Sequence, residues 1–579
     1  MQSATQDSAM ASNASSNPAP VIGVKGSDVY DGTGDPRVDL SAMLVRGLSA
    51  DKIAEGVNKI LALKTDEALM DLCVLIFQTR NIRGGKGERS LCYEMLKTLA
   101  IPMPRLANHL LQLLPHYGYW GDIFRMAEDP IFSDGALALA TKQFGKDWLA
   151  LPNEDAPLSL MAKWAPREKT NGPLTKKLAR LLFVDKPMIN EQLRLYRQSI
   201  AQMNRRLDTS EIKMCGHAWS EIQPKKVPGR ALQKYRKAFL NEPSPRRMNS
   251  FRVGPARGPR FPDDPDRVEC AEHFTSHFAA GARGEIIIKA ADVVLPNEVV
   301  QNALGHITND AERDLLKSQW SAIRDKVAEG GFLKKVVALC DFSGSMGSVD
   351  ERTSPKSVSL AMGLLVSEIS GSHKIMTFDS QPQWHTFDPS HDIFQKLESI
   401  GNSLGQGLST DFQKALDLVM TDLSARRVKP EDAPTDILVF TDMGWDQAYG
   451  SDGQSQYTGH TYRHNVKTAQ WQTHLQMARE NFRRLGEDMW GAGKGYTPPR
   501  IVVWNLSPSY NDFHAKKDEE GVVMLSGWSP ALFKALSTGL PVTTPWSGLR
   551  CQLDDPLYDK VRDLVNSFTA TMSHSHWGY

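Results

Sequence analysis

One stretch constrains this chain more than any other: the apolar run Val336-Val337-Ala338-Leu339-Cys340, followed at once by Asp341-Phe342-Ser343-Gly344-Ser345. Five successive apolar residues read as a strand buried on both faces, the kind found in a parallel sheet covered by helices. Such sheets carry their chemistry where strands end. A second run, Ile437-Leu438-Val439-Phe440, ends in Thr441-Asp442, and Thr410-Asp411 sits in a Gly-rich turn. Asp341, Ser343, Ser345, Thr410 and Asp442 are therefore candidates for a single site at one end of a sheet.

Hydroxyl and carboxylate oxygens are hard ligands, suited to Mg²⁺, Mn²⁺ or Ca²⁺ rather than Zn²⁺. Two carboxylates roughly neutralise a divalent cation, so the metal stays electrophilic toward a further oxygen. Taken alone, Asp-x-Ser-x-Ser could simply be a polar turn capping the next helix. Two enzyme readings fail on residue type. A phosphatase of the haloacid dehalogenase kind would need its general acid where Ser343 stands. A serine-hydrolase elbow needs Gly two residues before the nucleophile, where Ser345 has Ser343. The full set resembles the metal-ion-dependent adhesion site of a von Willebrand factor A domain. That resemblance implies that Ser343, Ser345 and Thr410 touch the metal directly and that Asp341 and Asp442 act through water. It leaves one coordination position for the carboxylate of a protein partner.

From about Phe332 onward, strand and helix alternate, which predicts a doubly wound α/β sheet. Strands are expected at Val336–Cys340, Lys374–Phe378, Gln383–Phe387, Ile437–Phe440, Ile501–Asn505 and Val522–Leu525, with helices at Ser357–Ile369, Phe412–Met420 and Gln470–Leu485. Before that point the periodicity is helical. Ile53, Val57, Ile60 and Leu61 share one face, and Leu69, Leu72, Cys73, Ile76 and Phe77 share the next. Short helices broken by the turns Arg83-Gly84-Gly85-Lys86-Gly87-Glu88-Arg89 and Tyr117-Gly118-Tyr119-Trp120 predict stacked helical hairpins of the solenoid kind. The first turn lacks the Lys-Ser/Thr of a Walker loop. It could be an anion site at the following helix or an ordinary interhelical turn.

These readings divide the chain into a disordered tail over 1–27, a helical domain over 28–329 and an A domain over 330–579. The tail is rich in Ser, Ala and Asn and lacks the apolar core of a signal peptide. No uncharged run approaches the ~20 residues of a membrane span. The six cysteines form no close pairs, which suits a reducing cytoplasmic or nuclear setting.

A formal net charge of +1 conceals an asymmetry. Residues 161–260 hold 23 Lys and Arg against 7 Asp and Glu, a net +16, so the remainder carries −15. Such a split marks a candidate polyanion-binding region. Its proposed RNA-contacting residues are Lys163, Arg167, Lys176, Lys177, Arg180, Arg205, Arg206, Lys225, Lys226, Arg230, Lys234, Arg236 and Lys237. Trp164, Tyr196, Trp219 and Tyr235 are interleaved, as stacking on unpaired bases requires. Solvated helix faces, or a surface docking on acidic protein, would produce the same composition.

The two Gly-rich turns, together with Ser159-Leu160-Met161-Ala162-Lys163-Trp164-Ala165-Pro166 and Thr441-Asp442-Met443-Gly444-Trp445-Asp446-Gln447-Ala448, resemble a family of uncharacterised TROVE-like proteins. Their arrangement is similar to that of the Ro (TROVE) ribonucleoproteins. The resemblance implies HEAT-like helices that bind RNA, joined to an A domain. It makes a non-enzymatic RNA-binding ribonucleoprotein scaffold the first expectation. A protein–protein adaptor without RNA is the second, and a Mg²⁺-dependent nuclease or phosphatase the third, since no general base stands out beside the metal loop.

Overall fold

The computed structural model describes residues 18–571 except 244–245, 249–250, 254–257, 290–292, 306, 308, 332, 350, 352–353, 379–381, 401–411, 446–473 and 537–541. Two short antiparallel hairpins, β1 (Pro20–Ile22) with β2 (Asp28–Tyr30) and β3 (Arg246–Met248) with β4 (Phe251–Val253), lie outside the main sheet. That sheet comprises β5 (Val336–Asp341), β6 (Lys374–Phe378), β7 (Gln383–Thr386), β8 (Asp436–Thr441), β9 (Arg500–Asn505) and β10 (Val522–Ser526). Its order is β10-β9-β8-β5-β6-β7, parallel throughout except for the antiparallel edge strand β7.

The strands are continuous apolar runs because both faces are covered. Alternate residues of β5 point opposite ways: Ala338 and Cys340 join one core, and Leu339 joins the other. Helices Pro355–Ser370, Ile393–Ile400, Pro296–Leu304 and Asp310–Ala328 pack on the first face. Helices Phe412–Ala425 and His474–Trp490 cover the second. Helices on either side of residue 330 thus share one core with the sheet.

The first half is helical. Ser49 and Thr65 cap the helices Ala50–Leu61 and Asp66–Arg80, each hydroxyl accepting from an amide three residues on. Asp66–Arg80 is buried on nearly every side, as the central helix of a stack must be. Around it, helices from Pro36–Met43 to Ile189–Arg206 build one large core. The C-terminal helices Pro545–Leu553 and Asp559–Thr571 belong to that same core through Leu549, Leu553, Tyr558, Val561 and Val565. A smaller core joins Gly229–Phe239, Pro265–Ala282 and part of Asp310–Ala328, with Phe239 and Phe274 stacked 4.2 Å apart.

Residues 18–27 depart from the structureless tail that composition predicts. β1 pairs with β2, Ser27 is fully buried, and the Tyr30 amide donates to the Phe513 carbonyl at 2.8 Å. Few apolar residues are needed because β2 and the turn dock on a surface that the sheet's loops already provide.

Candidate functional site

β5 and β8 are neighbours, but the chain leaves them in opposite directions, toward β6 from one and toward β9 from the other. Such a divergence opens a crevice at the carboxyl ends of the two strands. Asp341 ends β5, Thr441 ends β8, and Asp442 follows it.

Asp341 is buried, accepting from the Ser343 amide at 2.9 Å and from the Thr441 hydroxyl at 3.0 Å. Thr441 Oγ1 in turn accepts from the Met443 amide at 3.2 Å and the Trp445 indole N–H at 3.1 Å. Trp445 is clamped between Phe412 and His514, with ring centroids 4.1 and 3.7 Å away. The segment following β8 is therefore a positioning device: the indole fixes a hydroxyl, and the hydroxyl fixes a carboxylate. Met443 has φ +73, a left-handed conformation uncommon outside glycine and costly for a long side chain. Strain here suits a segment held to aim its neighbours.

Ser343 and Ser345 have hydroxyls 3.1 Å apart, the first buried and the second exposed. Asp442 is buried; its Oδ1 accepts from the Gly444 amide at 3.1 Å, and its Oδ2 has no hydrogen-bond partner. Burial and the Asp442 charge push Asp341 well above the usual carboxylate range, and burial raises Asp442 likewise. Two buried carboxylates, paired hydroxyls and an unmatched oxygen form a donor set that a hard divalent cation would satisfy. Among the described residues, no group of three or more His, Cys, Asp or Glu could hold a metal by itself, so any site here depends on the hydroxyls. Thr410, the fifth predicted ligand, lies outside the described residues.

Two residues at this site escaped the sequence reading. Lys25, at the tip of the β1–β2 hairpin, donates to Ser345 Oγ at 3.4 Å, and its ammonium lies 4.8 Å from the Tyr510 ring centroid. Asp512 holds the hairpin by accepting from the Val24 amide at 3.3 Å, and its carboxyl is raised by burial. The available signals were a lysine inside the turn Gly23-Val24-Lys25-Gly26 and an acid in the loop after a strand.

The thirteen predicted RNA-contacting residues differ in exposure and pairing. Lys176, Lys177, Arg180, Arg205, Lys225, Lys234 and Lys237 are exposed and have no carboxylate partner among the described residues. Lys226 is exposed beside Asp208 at 3.6 Å, and Lys163 lies 3.5 Å from Glu211. Arg167 is half-buried and faces no carboxylate among the described residues. The others serve the fold. Arg206 caps the carbonyls of Asn153, Glu154 and Ala156. Arg230 pairs with Glu298 at 3.1 Å, and Arg236 pairs with the buried Glu312. The aromatics differ too. Tyr196 is core, its hydroxyl donating to the Pro166 carbonyl at 3.0 Å. Trp219 is buried beneath the Arg267 guanidinium, 3.7 Å from the ring centroid. Both are closed to bases, whereas Trp164 and Tyr235 open onto a cavity of about 510 Å³.

The Gly-rich turn is structural. Lys86 is buried, and its Nζ donates to the carbonyls of Ser41 (2.7 Å) and Leu44 (3.2 Å) and to Ser526 Oγ (2.6 Å). It joins the helical half to β10 and cannot meet an external anion. A Cβ at Gly85 would fall 1.9 Å from the Gln78 carbonyl, so the turn's approach to its helix requires glycine there. The Tyr117–Asp122 motif is likewise internal: Arg80 and Asp122 form a fully buried pair at 2.7 Å, and the Tyr93 hydroxyl donates to the same carboxylate.

Residues 335–542 match a family model described as a domain of unknown function, DUF7788. The chain is 26% identical over 527 residues to the uncharacterized protein L728 of Acanthamoeba polyphaga mimivirus, covering 86% of this chain and 80% of that protein. The crystal structure of the Deinococcus radiodurans RO (RSR) protein aligns over 87% of this chain and 100% of its own at 13% identity, with a TM-score of 0.32. A score that low carries neither fold nor function across. The first two matches bring no activity with them.

Proposed function

We propose that this chain is an RNA-binding scaffold whose helical half, a HEAT-like solenoid, holds the nucleic acid. Its sheet is a von Willebrand A domain that offers a divalent metal to a protein partner. The observation that carries the RNA reading is the set of exposed cations without carboxylate partners. Lys234 and Lys237 lie close together on one face of helix Gly229–Phe239, and Lys176 and Arg180 are one turn apart on Glu168–Leu182. Unneutralised cations concentrated in one region attract a polyanion and release its counterions on binding.

The metal reading is supported by the buried carboxylates, the serine pair and the unmatched Asp442 oxygen. Ser343, Ser345 and Thr410 would hold Mg²⁺, with Mn²⁺ or Ca²⁺ as alternatives, and Asp341 and Asp442 would balance its charge. The ion would supply an open coordination position for a partner's Asp or Glu, consistent with the exposure of Gly344 and Ser345. The exposed, hydroxyl-rich loop favours adhesion over hydrolysis in this reading.

Two measurements test this function. Calorimetry should detect one Mg²⁺ bound by the wild type and none by the folded double variant Asp341→Ala, Ser343→Ala. Retained Mg²⁺ affinity in that variant would remove the metal assignment. Filter binding should retain RNA at about 50 mM salt, where electrostatic association is strong. Absence of retention would leave a protein adaptor as the better account.

A further inference from the structure

The cavity of about 510 Å³ sits between the large helical core and the smaller one. Its wall is formed by the short helix Met161–Trp164, the start of Glu168–Leu182, the end of Ile189–Arg206, and the helices Ser210–Cys215 and Gly229–Phe239. A junction between two cores is a common place for a ligand pocket, and this volume lies in the usual small-ligand range.

The lining combines rings, cations and unmatched polar atoms. Trp164 is 43% exposed despite its size, held edge-on against Tyr119 at 4.4 Å so that its indole stays in place without being covered. Tyr235 is half-buried, and the Lys234 ammonium lies 4.8 Å from its ring centroid. The Arg167 guanidinium makes one long bond, 3.5 Å to the Ala162 carbonyl. Burial pulls its pKa down, so the cation is partly desolvated and uncompensated. Thr209 Oγ1 is buried with no hydrogen-bond partner.

An apolar ligand would leave these polar groups unmatched, and a duplex is too wide for a cavity of this size. A carboxylate would satisfy Arg167 but give no reason for two aromatic rings held open. A planar base joined to a phosphate uses both rings and the free cations, with the lining carboxylate Glu211 already beside Lys163, because rings stack on bases and guanidinium groups fork onto phosphate oxygens. We propose that this cavity receives one unpaired nucleotide of an RNA strand, its base against Trp164 and Tyr235 and its phosphate on Arg167 and Lys234. The proposal rests on the RNA-scaffold reading and assigns that reading a specific pocket.

The experiment compares a single-stranded oligonucleotide carrying one 2-aminopurine with a blunt duplex of the same sequence. Proteins tested are the wild type, Arg167→Gln, Trp164→Leu and the surface control Lys176→Glu/Lys177→Glu, each checked by thermal melting. The wild type should quench the aminopurine on binding, as stacking does. Arg167→Gln and Trp164→Leu should each weaken single-strand binding by about tenfold or more and abolish the quench, while leaving duplex affinity unchanged. The surface control should weaken both ligands and keep the quench. If the wild type binds RNA without a quench, or folded Arg167→Gln binds the single strand as the wild type does, the pocket is wrong and the scaffold reading survives. If the wild type binds neither RNA, both fall together. Competition by polyglutamate but not by AMP would reassign the pocket to acidic peptide and overturn the nucleotide.

Discussion

At the scale of single residues, the basic region shows how far composition can be trusted. Charge density located the region, but it could not tell Lys176, which faces solvent, from Arg236, which holds a buried carboxylate. That difference is set by which helix packs opposite, information no local window contains. Tyr196, expected to stack on bases, is core instead, and the helical spacing of Leu193, Tyr196, Ile200 and Met203 was the signal that outweighs composition. Lys86 was not legible, since its partners stand about forty residues before it and 440 after it. Burial lowers its pKa from 10.5 to about 7. Between those values the unfolded chain holds a proton that the folded chain has released, so stability rises with pH across that window. Below it both states are protonated and the burial cost is felt in full. Lys86→Met should remove this rise. Denaturation midpoints followed from pH 7 upward should climb for the wild type relative to the variant; parallel curves would show that Lys86 stays charged throughout.

At the scale of elements, the sheet was readable because parallel strands buried on both faces must be apolar without interruption. Lys374–Phe378 matches its predicted bounds, and Val336–Asp341 extends its prediction by one residue. The β1–β2 hairpin was unreadable because each strand has three residues and its stability comes from docking. Its consequence is electrostatic. The Lys25 ammonium reaches Ser345, a predicted metal ligand, so a cation bound there would compete with the hairpin. Lys25→Ala should therefore tighten Mg²⁺ binding by several-fold, since like charge near a cation site weakens it. Lys25→Arg should not. Calorimetric titration of the three proteins is the check, and weaker binding by Lys25→Ala would mean that the lysine organises the loop instead.

At the scale of the whole molecule, the first helices meet the helices that follow the last strand. Asp71 is buried between Arg37 (2.8 Å) and Arg550 (2.6 Å), and Trp546 lies against both guanidinium groups. Tyr117 donates to the Leu557 carbonyl at 2.9 Å across the same seam. Alternating patterns along the chain could not reveal this closure, because helices 545–553 and 559–571 follow the last strand yet pack on the first core. Asp71→Asn would remove the buried carboxylate that both guanidinium groups share, leaving Arg37 on Asp35 and Arg550 on Asp554, at a cost of about 2 kcal/mol. Thermal melting should fall clearly for this variant and much less for Glu67→Gln, whose carboxylate is 67% exposed. Equal effects would mean that the seam contributes little. The loop of residues 341–345 and the basic cavity lie in different cores. Without a shared two-state element they have no coupling, so Asp442→Ala should leave RNA affinity intact with or without Mg²⁺.

The central claim is that exposed cations of the helical half hold RNA, and the dependence of affinity on salt tests it most directly. Each neutralised phosphate of a single strand contributes about −0.7 to the slope of log K against log salt. Affinity for one single-stranded RNA, measured from about 50 to about 200 mM salt, should fall steeply for the wild type. For Lys176→Glu/Lys177→Glu/Arg180→Glu the affinity should be lower and the slope shallower by about two, as expected when three phosphate contacts are lost. Identical slopes and affinities for the two proteins would contradict the account.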